Sequence, residues 1–475
     1  MKSSFNLQGR LRFSRFVHLF HRDGVVAVYH ALSQETVFLQ EEIARLIRKF
    51  INPIPPSNLL SSLPRRRDQQ TLLHLIRFLT KAKIVVPPDY DEDSELEEVQ
   101  RRYHIGQPII SIIYLLLTDR CNFACSYCVI ENAIPQGHRF SQMSPRTIRK
   151  GLDLFAQCLA DNPVDPQQKM VIFYGGEPLL NRRGFFAALE YIAALQERGI
   201  LPSDLQKTLN TNGSLISGEV AKAIVEHGIN VSISIDGPAA LHDECRKYRS
   251  GRGTFYAALR GFRKLREIGA KVSVSCTIGG HNIATLSSEV FPWIVQELGV
   301  QGLGFNLLCD SPDYRLSSEE YVGQATEAII EAFQIGRQLG VYEDRMMRKI
   351  NAFVNGMVHP ADCAGCGRQL VISPDGKVGV CSAFTGSKEY FVGDVEGGFN
   401  PFMDEVFIEW SKRSPLMIPQ CMKCEALGIC GGGCVYNAKL LHGTIWGIDP
   451  RFCIHSKRVL NWMIWDLHDQ EPIHS

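Results

Sequence analysis

No run of apolar residues in this chain reaches the roughly 18 needed to cross a bilayer, which excludes a membrane-spanning helix. An excess of charge is also absent: 51 Lys+Arg stand against 50 Asp+Glu, a net charge of +1. That balance removes any overall electrostatic case for nucleic-acid or membrane partners. The opening residues, Met1-Lys2-Ser3-Ser4-Phe5-Asn6, lack the apolar core of a secretory signal. No internal repeat and no low-complexity tract is visible. These absences predict a cytoplasmic chain. Thiols stay reduced there, so the 15 cysteines read better as metal ligands than as disulfides. At 475 residues, and at about 150 residues per domain, two or three domains are expected.

The first hundred residues read as a separate unit, bounded at 1–92. Val25–His30 and Glu35–Leu39 have strand character, and a helix follows over about Gln40–Phe50. Pro53, Pro55 and Pro56 interrupt the chain before a second helix over Thr71–Lys81, and Ile84–Pro88 leads out extended. Strands first and helices after suggest a small α+β winged-helix-like domain. The order resembles the PqqD-like peptide-binding domain of ribosomal-peptide maturases. The acidic stretch Asp89–Glu98 reads as a solvated linker.

From Pro108 the pattern changes to strand-like runs alternating with amphipathic helices. The runs are Ile109–Leu117, Lys169–Tyr174, Gln206–Asn210, Asn230–Ile235, Lys271–Ile278 and Gly302–Leu308. Six βα units require a parallel sheet. The strands look apolar nearly throughout, as when both faces are covered. An α/β partial (β/α)6 barrel of the TIM type over 108–310 would carry its functional loops at the strand C-termini. Residues 311–362 read as a helical linker, 363–455 as a Cys-rich domain and 456–475 as a tail.

Cys121, Cys125 and Cys128 follow the first of these strands with the spacing C-x3-C-x2-C. Three thiolates hold three irons of a four-iron cubane, and a cluster normally takes four. The alternative is structural zinc, which prefers four ligands. Further features close the later strands: Gly175-Gly176-Glu177-Pro178, Thr211-Asn212-Gly213, Ser234 with Asp236, and Arg246 beyond His242. Paired glycines let a backbone approach a ligand closely.

Together these resemble the radical SAM family. The resemblance implies a [4Fe–4S] cluster on Cys121, Cys125 and Cys128, whose open iron chelates S-adenosylmethionine (SAM). Reductive cleavage then yields a 5′-deoxyadenosyl radical. It further implies that Gly175, Gly176, Glu177 and Pro178 meet the methionine amino group and that Ser234 and Asp236 meet the ribose. Arg246 would meet the carboxylate, Tyr127 would lie against adenine, and Asn212 would belong to the same cofactor site.

Near the C-terminus, Cys366 is followed by Gly376 and Cys381, then by Cys421-x2-Cys424-x5-Cys430-x3-Cys434 and Cys453. This resembles the SPASM pattern. Cys363 supplies an eighth thiolate, enough for two auxiliary [4Fe–4S] clusters. By resemblance, Cys363, Cys366, Cys381 and Cys434 hold one and Cys421, Cys424, Cys430 and Cys453 the other. Gly431-Gly432-Gly433 permits tight wrapping of the backbone. Of the remaining cysteines, Cys158 and Cys276 read as core fillers, while Cys245 and Cys309 lie near strand-end loops.

The function implied is a maturase of a ribosomally made peptide. It would oxidise or cross-link its substrate through a C–S or C–C bond and draw electrons from a reductant such as ferredoxin or flavodoxin. Two alternatives stay open: an anaerobic sulfatase-maturating, formylglycine-forming enzyme, and a non-catalytic Fe–S electron-transfer or peptide-binding protein. The sulfatase subfamily has an Asp directly after the cysteine at the Cys381 position, where this chain has Ser382. No catalytic base is singled out among Asp310, Asp313 and the histidines.

Overall fold

A computed structural model describes residues 6–132, 134–135, 137–309 and 319–470. At the N-terminus, β1 (Arg12–Phe13) precedes an antiparallel meander of β2 (Val17–Arg22), β3 (Val25–His30) and β4 (Thr36–Gln40). After the helix Arg66–Lys81, β5 (Val85–Val86) returns to pair with β1. Strand β2 was not anticipated from the sequence. Its apolar residues divide between two cores, Val17 and Leu19 on one side and Phe20 on the other, and His18 and His21 mask the pattern.

Strand β3 is buried on both faces. Val26 and Val28 join a small N-terminal core, whereas Ala27 and Tyr29 enter the main core of the molecule. Tyr29 lies 6.1 Å from Phe353 there. The acidic stretch expected to be a linker is instead the helix Glu92–Arg102. Asp91 caps it by accepting Ser94 N at 3.0 Å, with acidic residues in its first turn and arginines in its last. Glu92 is buried, accepts Arg15 N at 2.7 Å and pairs with Arg12 at 2.9 Å.

The six expected barrel strands are present and parallel: β6 (Ile112–Thr118), β7 (Met170–Gly175), β8 (Gln206–Thr211), β9 (Asn230–Ser234), β10 (Val272–Ile278) and β11 (Gly302–Leu307). Helices 145–161, 182–197, 218–226, 255–267 and 291–298 alternate with them. The sheet runs further than the six. Strand β12 (Tyr342–Glu343), inside the segment read as a helical linker, pairs parallel with β11. On the other edge β13 (Gln369–Ile372) pairs parallel with β6, and β14 (Lys377–Gly379) and β15 (Phe391–Asp394) follow antiparallel. The Cys-rich segment therefore continues the barrel sheet, covering backbone groups that β6 would otherwise leave unpaired.

Two expectations are corrected. The barrel strands are not apolar throughout: β9, β10 and β11 alternate, with Val231, Ile233, Val274 and Phe305 buried and Ser232, Ser234, Ser275 and Asn306 lining a cavity. Residues 456–470 are no tail. They complete the helix Pro450–Gln470, whose Val459, Leu460 and Ile464 are buried and whose Trp462 meets Phe333 of helix Glu319–Gln338 at 5.7 Å. Among the described residues no helix is long and apolar enough to cross a membrane.

Candidate active site

The loop after β6 is laced to its surroundings. Asp119 accepts hydrogen bonds from Ser141 N and His138 Nε2, both at 2.7 Å. Ala124 N donates to Lys247 O at 2.7 Å and Ser126 N to Cys245 O at 3.1 Å. These contacts fix the segment that bears Cys121, Cys125 and Cys128, and all three cysteines line one cavity of about 520 Å³.

Gly175 and Gly176, at the end of β7, press their backbone against the start of this loop. Gly176 N donates to Thr118 O and Glu177 N to Arg120 O, both at 2.9 Å. A Cβ on Gly175 would stand 2.1 Å from Thr118 O, and one on Gly176 2.4 Å from the Arg120 carbonyl. Only glycine fits there, and both glycines line the cavity.

Glu177 behaves differently from the expected ligand contact. Its side chain is buried and accepts from Asn212 N at 2.8 Å, Thr211 Oγ1 at 2.7 Å and Leu179 N at 3.1 Å. It therefore clamps the β8 loop to the β7 loop and is not among the cavity-lining residues, and neither is Pro178. Burial pushes its carboxyl up to about 7, although the three donors pull the other way. Asn212, by contrast, lines the cavity and reaches Asn122 Oδ1 at 2.9 Å.

Asp236 is likewise not among the cavity-lining residues. It is fully buried outside the cavity, where it accepts from Arg246 Nε at 2.8 Å, Arg246 Nη2 at 3.2 Å and Thr277 N at 2.9 Å, and also from Tyr127 OH. Burial alone would raise its pKa, but the Arg246 guanidinium holds it well below the usual carboxylate range. With its oxygens committed in this way, Asp236 orients Arg246. Ser234, Tyr127 and Arg246 do line the cavity. Arg246 Nη1 lies 3.9 Å from Cys125 Sγ, and its guanidinium stands 5.2 Å from the centre of the Tyr127 ring. His242 is buried behind them, bonded to Asp236 N at 3.3 Å and to Thr254 Oγ1 at 3.1 Å, which is a structural role.

The donor set of the first loop fits a cubane. Burial pushes the Cys121 thiol up to about 12 and the Cys125 thiol up to about 11, and raises Cys128 as well. The thiolate is the form that binds metal, so such thiols ionise only against a cation that arrives with the ligand. Among the described residues no three His, Cys, Asp or Glu side chains converge on a single-ion site. Thiolates that each bind a separate iron stand further apart than the ligands of one zinc.

The C-terminal cysteines gather in two groups. Cys363, Cys366 and Cys381 feel one another's charge, and so do Cys421, Cys424, Cys430 and Cys453. Gly431, Gly432 and Gly433 all adopt left-handed φ values, 72°, 76° and 74°, which folds the chain between Cys430 and Cys434 back on itself. Cys434 is placed beside Cys309, and both line the same cavity as the first three cysteines.

Sequence reasoning missed several of the lining residues. Arg345 and Arg451 lie outside any motif. Cys309 was noticed only as a strand-end cysteine; here its Sγ accepts from Arg451 Nη1 at 3.3 Å. Ser232, Ser275 and Asn306 carried a readable signal, a polar residue at every second position of a strand. Cys158 and Cys276 are buried as expected, and Cys245 contacts His281 at 3.4 Å. Asp310 and Asp313 lie outside the described residues.

Comparison with known proteins agrees with this geometry. Residues 115–287 match the model of the radical SAM superfamily. The radical SAM cyclopropyl synthase TigE of Paramaledivibacter caminithermalis is 22% identical over 438 residues, spanning 87% of this chain and 87% of that protein. A serine-type anaerobic sulfatase-maturating enzyme of Klebsiella aerogenes is 26% identical over 336 residues, 66% of this chain and 76% of its own. Among solved structures, anSMEcpe with bound AdoMet and the Cp18Cys peptide superposes with a TM-score of 0.62 at 19% identity, over 76% of this chain and 98% of that one.

Proposed function

Residues 115–287 form a radical SAM domain, the chain is an enzyme using a [4Fe–4S] cluster and S-adenosylmethionine, and from that premise we propose that it matures a ribosomally made peptide. The observation that carries the reading is the single cavity lined both by Cys121, Cys125 and Cys128 and by Cys434 of the C-terminal array. A substrate held there lies between a source of radicals and an acceptor of electrons.

When bound, the cluster and SAM supply a 5′-deoxyadenosyl radical that takes a hydrogen atom from the substrate. The chain's own residues do the rest. Cys121, Cys125 and Cys128 would hold the cluster. Gly175 and Gly176 let the backbone approach the methionine end. Arg246, oriented by Asp236, offers its remaining N–H groups to the carboxylate, and Tyr127 and Ser234 border the nucleoside. Glu177 keeps Asn212 in place. Cys363, Cys366, Cys381 and Cys434 hold one auxiliary cluster, and Cys421, Cys424, Cys430 and Cys453 hold the other. The inward serines and asparagines of β8–β11 supply hydrogen bonds to a peptide backbone.

The Cp18Cys peptide bound to anSMEcpe supports a peptide substrate. An edge of the N-terminal sheet, at β2 or β4, suits a leader peptide by strand addition, which raises the local concentration of the core peptide at the cavity. The K. aerogenes relative keeps formylglycine formation as the second reading, with Ser382 in place of the carboxylate as the point against it.

The test is anaerobic incubation of reconstituted enzyme with SAM, dithionite and peptides encoded beside its gene. 5′-Deoxyadenosine and a mass change in one peptide are expected. Cys121→Ala, Cys125→Ala and Cys128→Ala should each abolish 5′-deoxyadenosine, and a variant retaining full cleavage would defeat the ligand assignment. Conversion of a sulfatase peptide instead would select the second reading.

A further inference from the structure

Among the described residues the cavity is lined by three arginines, Arg246, Arg345 and Arg451, and by no carboxylate. Two of the three are neutralised from behind, Arg246 by Asp236 at 2.8 Å and Arg451 by Asp449 at 2.7 Å. Arg345 has no ion-pair partner among the described residues. It is only 8% exposed, and its Nη1 is buried without a hydrogen-bond partner.

Its placement is rigid. Glu343 caps the helix Asp344–Val354 by accepting Arg345 N at 3.1 Å and Met346 N at 2.7 Å. Arg345 Nε donates to Phe305 O on β11 at 2.7 Å, and the guanidinium stands 5.2 Å from the centre of the Phe452 ring. The group is thus held in one plane at the β11 side of the cavity, four strands across the sheet from Gly175 on β7. A buried, unpaired guanidinium N–H is costly, and a carboxylate in the cavity would give this group an acceptor. The planar fork matches a carboxylate in bidentate geometry.

We infer that Arg345 binds a carboxylate of the peptide substrate, either an Asp or Glu side chain or the C-terminal group, and so selects which residue is presented in the cavity. This rests on the peptide-modifying reading above.

The experiment uses full-length, cluster-loaded enzyme with SAM and three probes, acetyl-Gly-Asp-Gly-amide, acetyl-Gly-Asn-Gly-amide and acetyl-Gly-Asn-Gly with a free C-terminus, titrated calorimetrically. A carboxylate-bearing probe should bind about 10-fold or more tightly than the fully amidated asparagine peptide, and the probe that does so identifies the source. Arg345→Gln should erase the preference, and Arg345→Lys, which keeps the charge without the fork, should retain part of it. Iron content and far-UV circular dichroism matching the unmodified enzyme verify the fold of each variant.

Equal or unmeasurable binding of all three probes overturns the inference, as does a preference that survives Arg345→Gln. A variant whose preference is intact but whose auxiliary-cluster EPR spectrum shifts assigns the guanidinium to the cluster instead. Absence of 5′-deoxyadenosine from the unmodified enzyme would sink the enzymatic reading while the binding comparison still decides this one.

Discussion

Gly176 is where one hydrogen atom in place of a methyl group decides the site. The cysteine loop and the β7 loop touch through their backbones, and a Cβ 2.4 Å from the Arg120 carbonyl has no flexible neighbour to displace. Gly176→Ala is expected to destabilise the fold by about 2 kcal/mol or more and to lower iron incorporation. Thermal unfolding and iron analysis would check this, and a variant with unchanged melting and full iron would refute the cradle. The cysteine triad was legible in the sequence because its spacing is local. The roles of Glu177 and Asp236 were not, because a carboxylate's task depends on which donors surround it, and Asp236 meets Arg246 and Thr277 only in the folded barrel.

Between β7 and β8, Glu177 gives the loop pair a pH dependence. The folded chain holds its proton up to about 7, whereas the unfolded chain has released it near the ordinary ~4.3. Between those values folding takes up a proton, so stability falls as pH rises and the loss is complete above the folded value. Glu177→Gln should flatten the decline in urea-unfolding stability across that window, and a decline of the same slope in the variant would show that other groups carry it. At this level the sequence placed the barrel strands and helices closely, since two-residue and 3.6-residue periods are written in consecutive residues. It misplaced the acidic helix Glu92–Arg102, where charge density concealed a capped helix. It also passed over the polar alternation of β9–β11, which marks a wall around a cavity and not a dry core.

Continuity governs the assembled protein. One ten-stranded sheet joins the barrel to the Cys-rich segment through the β6–β13 pairing, and Tyr29 ties the N-terminal sheet into the same core. Cys434 of the C-terminal array is therefore part of the cavity wall. Cys424→Ala is expected to leave measurable 5′-deoxyadenosine while product formation stops, read by chromatography and peptide mass. Full product from a folded Cys424→Ala variant would remove the second auxiliary cluster from the reaction.

By itself the sequence determined the thiol spacings, the glycine pairs and the alternation of strands and helices, because each is set by neighbours a few residues apart. Only the tertiary structure decided that Cys309 meets Cys434 and Arg451, that Asp236 is consumed by Arg246, and that Arg345 in the cavity wall has no ion-pair partner among the described residues. Those facts depend on charge and burial summed over residues from 10 positions apart, as Asp236 and Arg246, to 142, as Cys309 and Arg451, a sum that exists only once the sheet has brought them together.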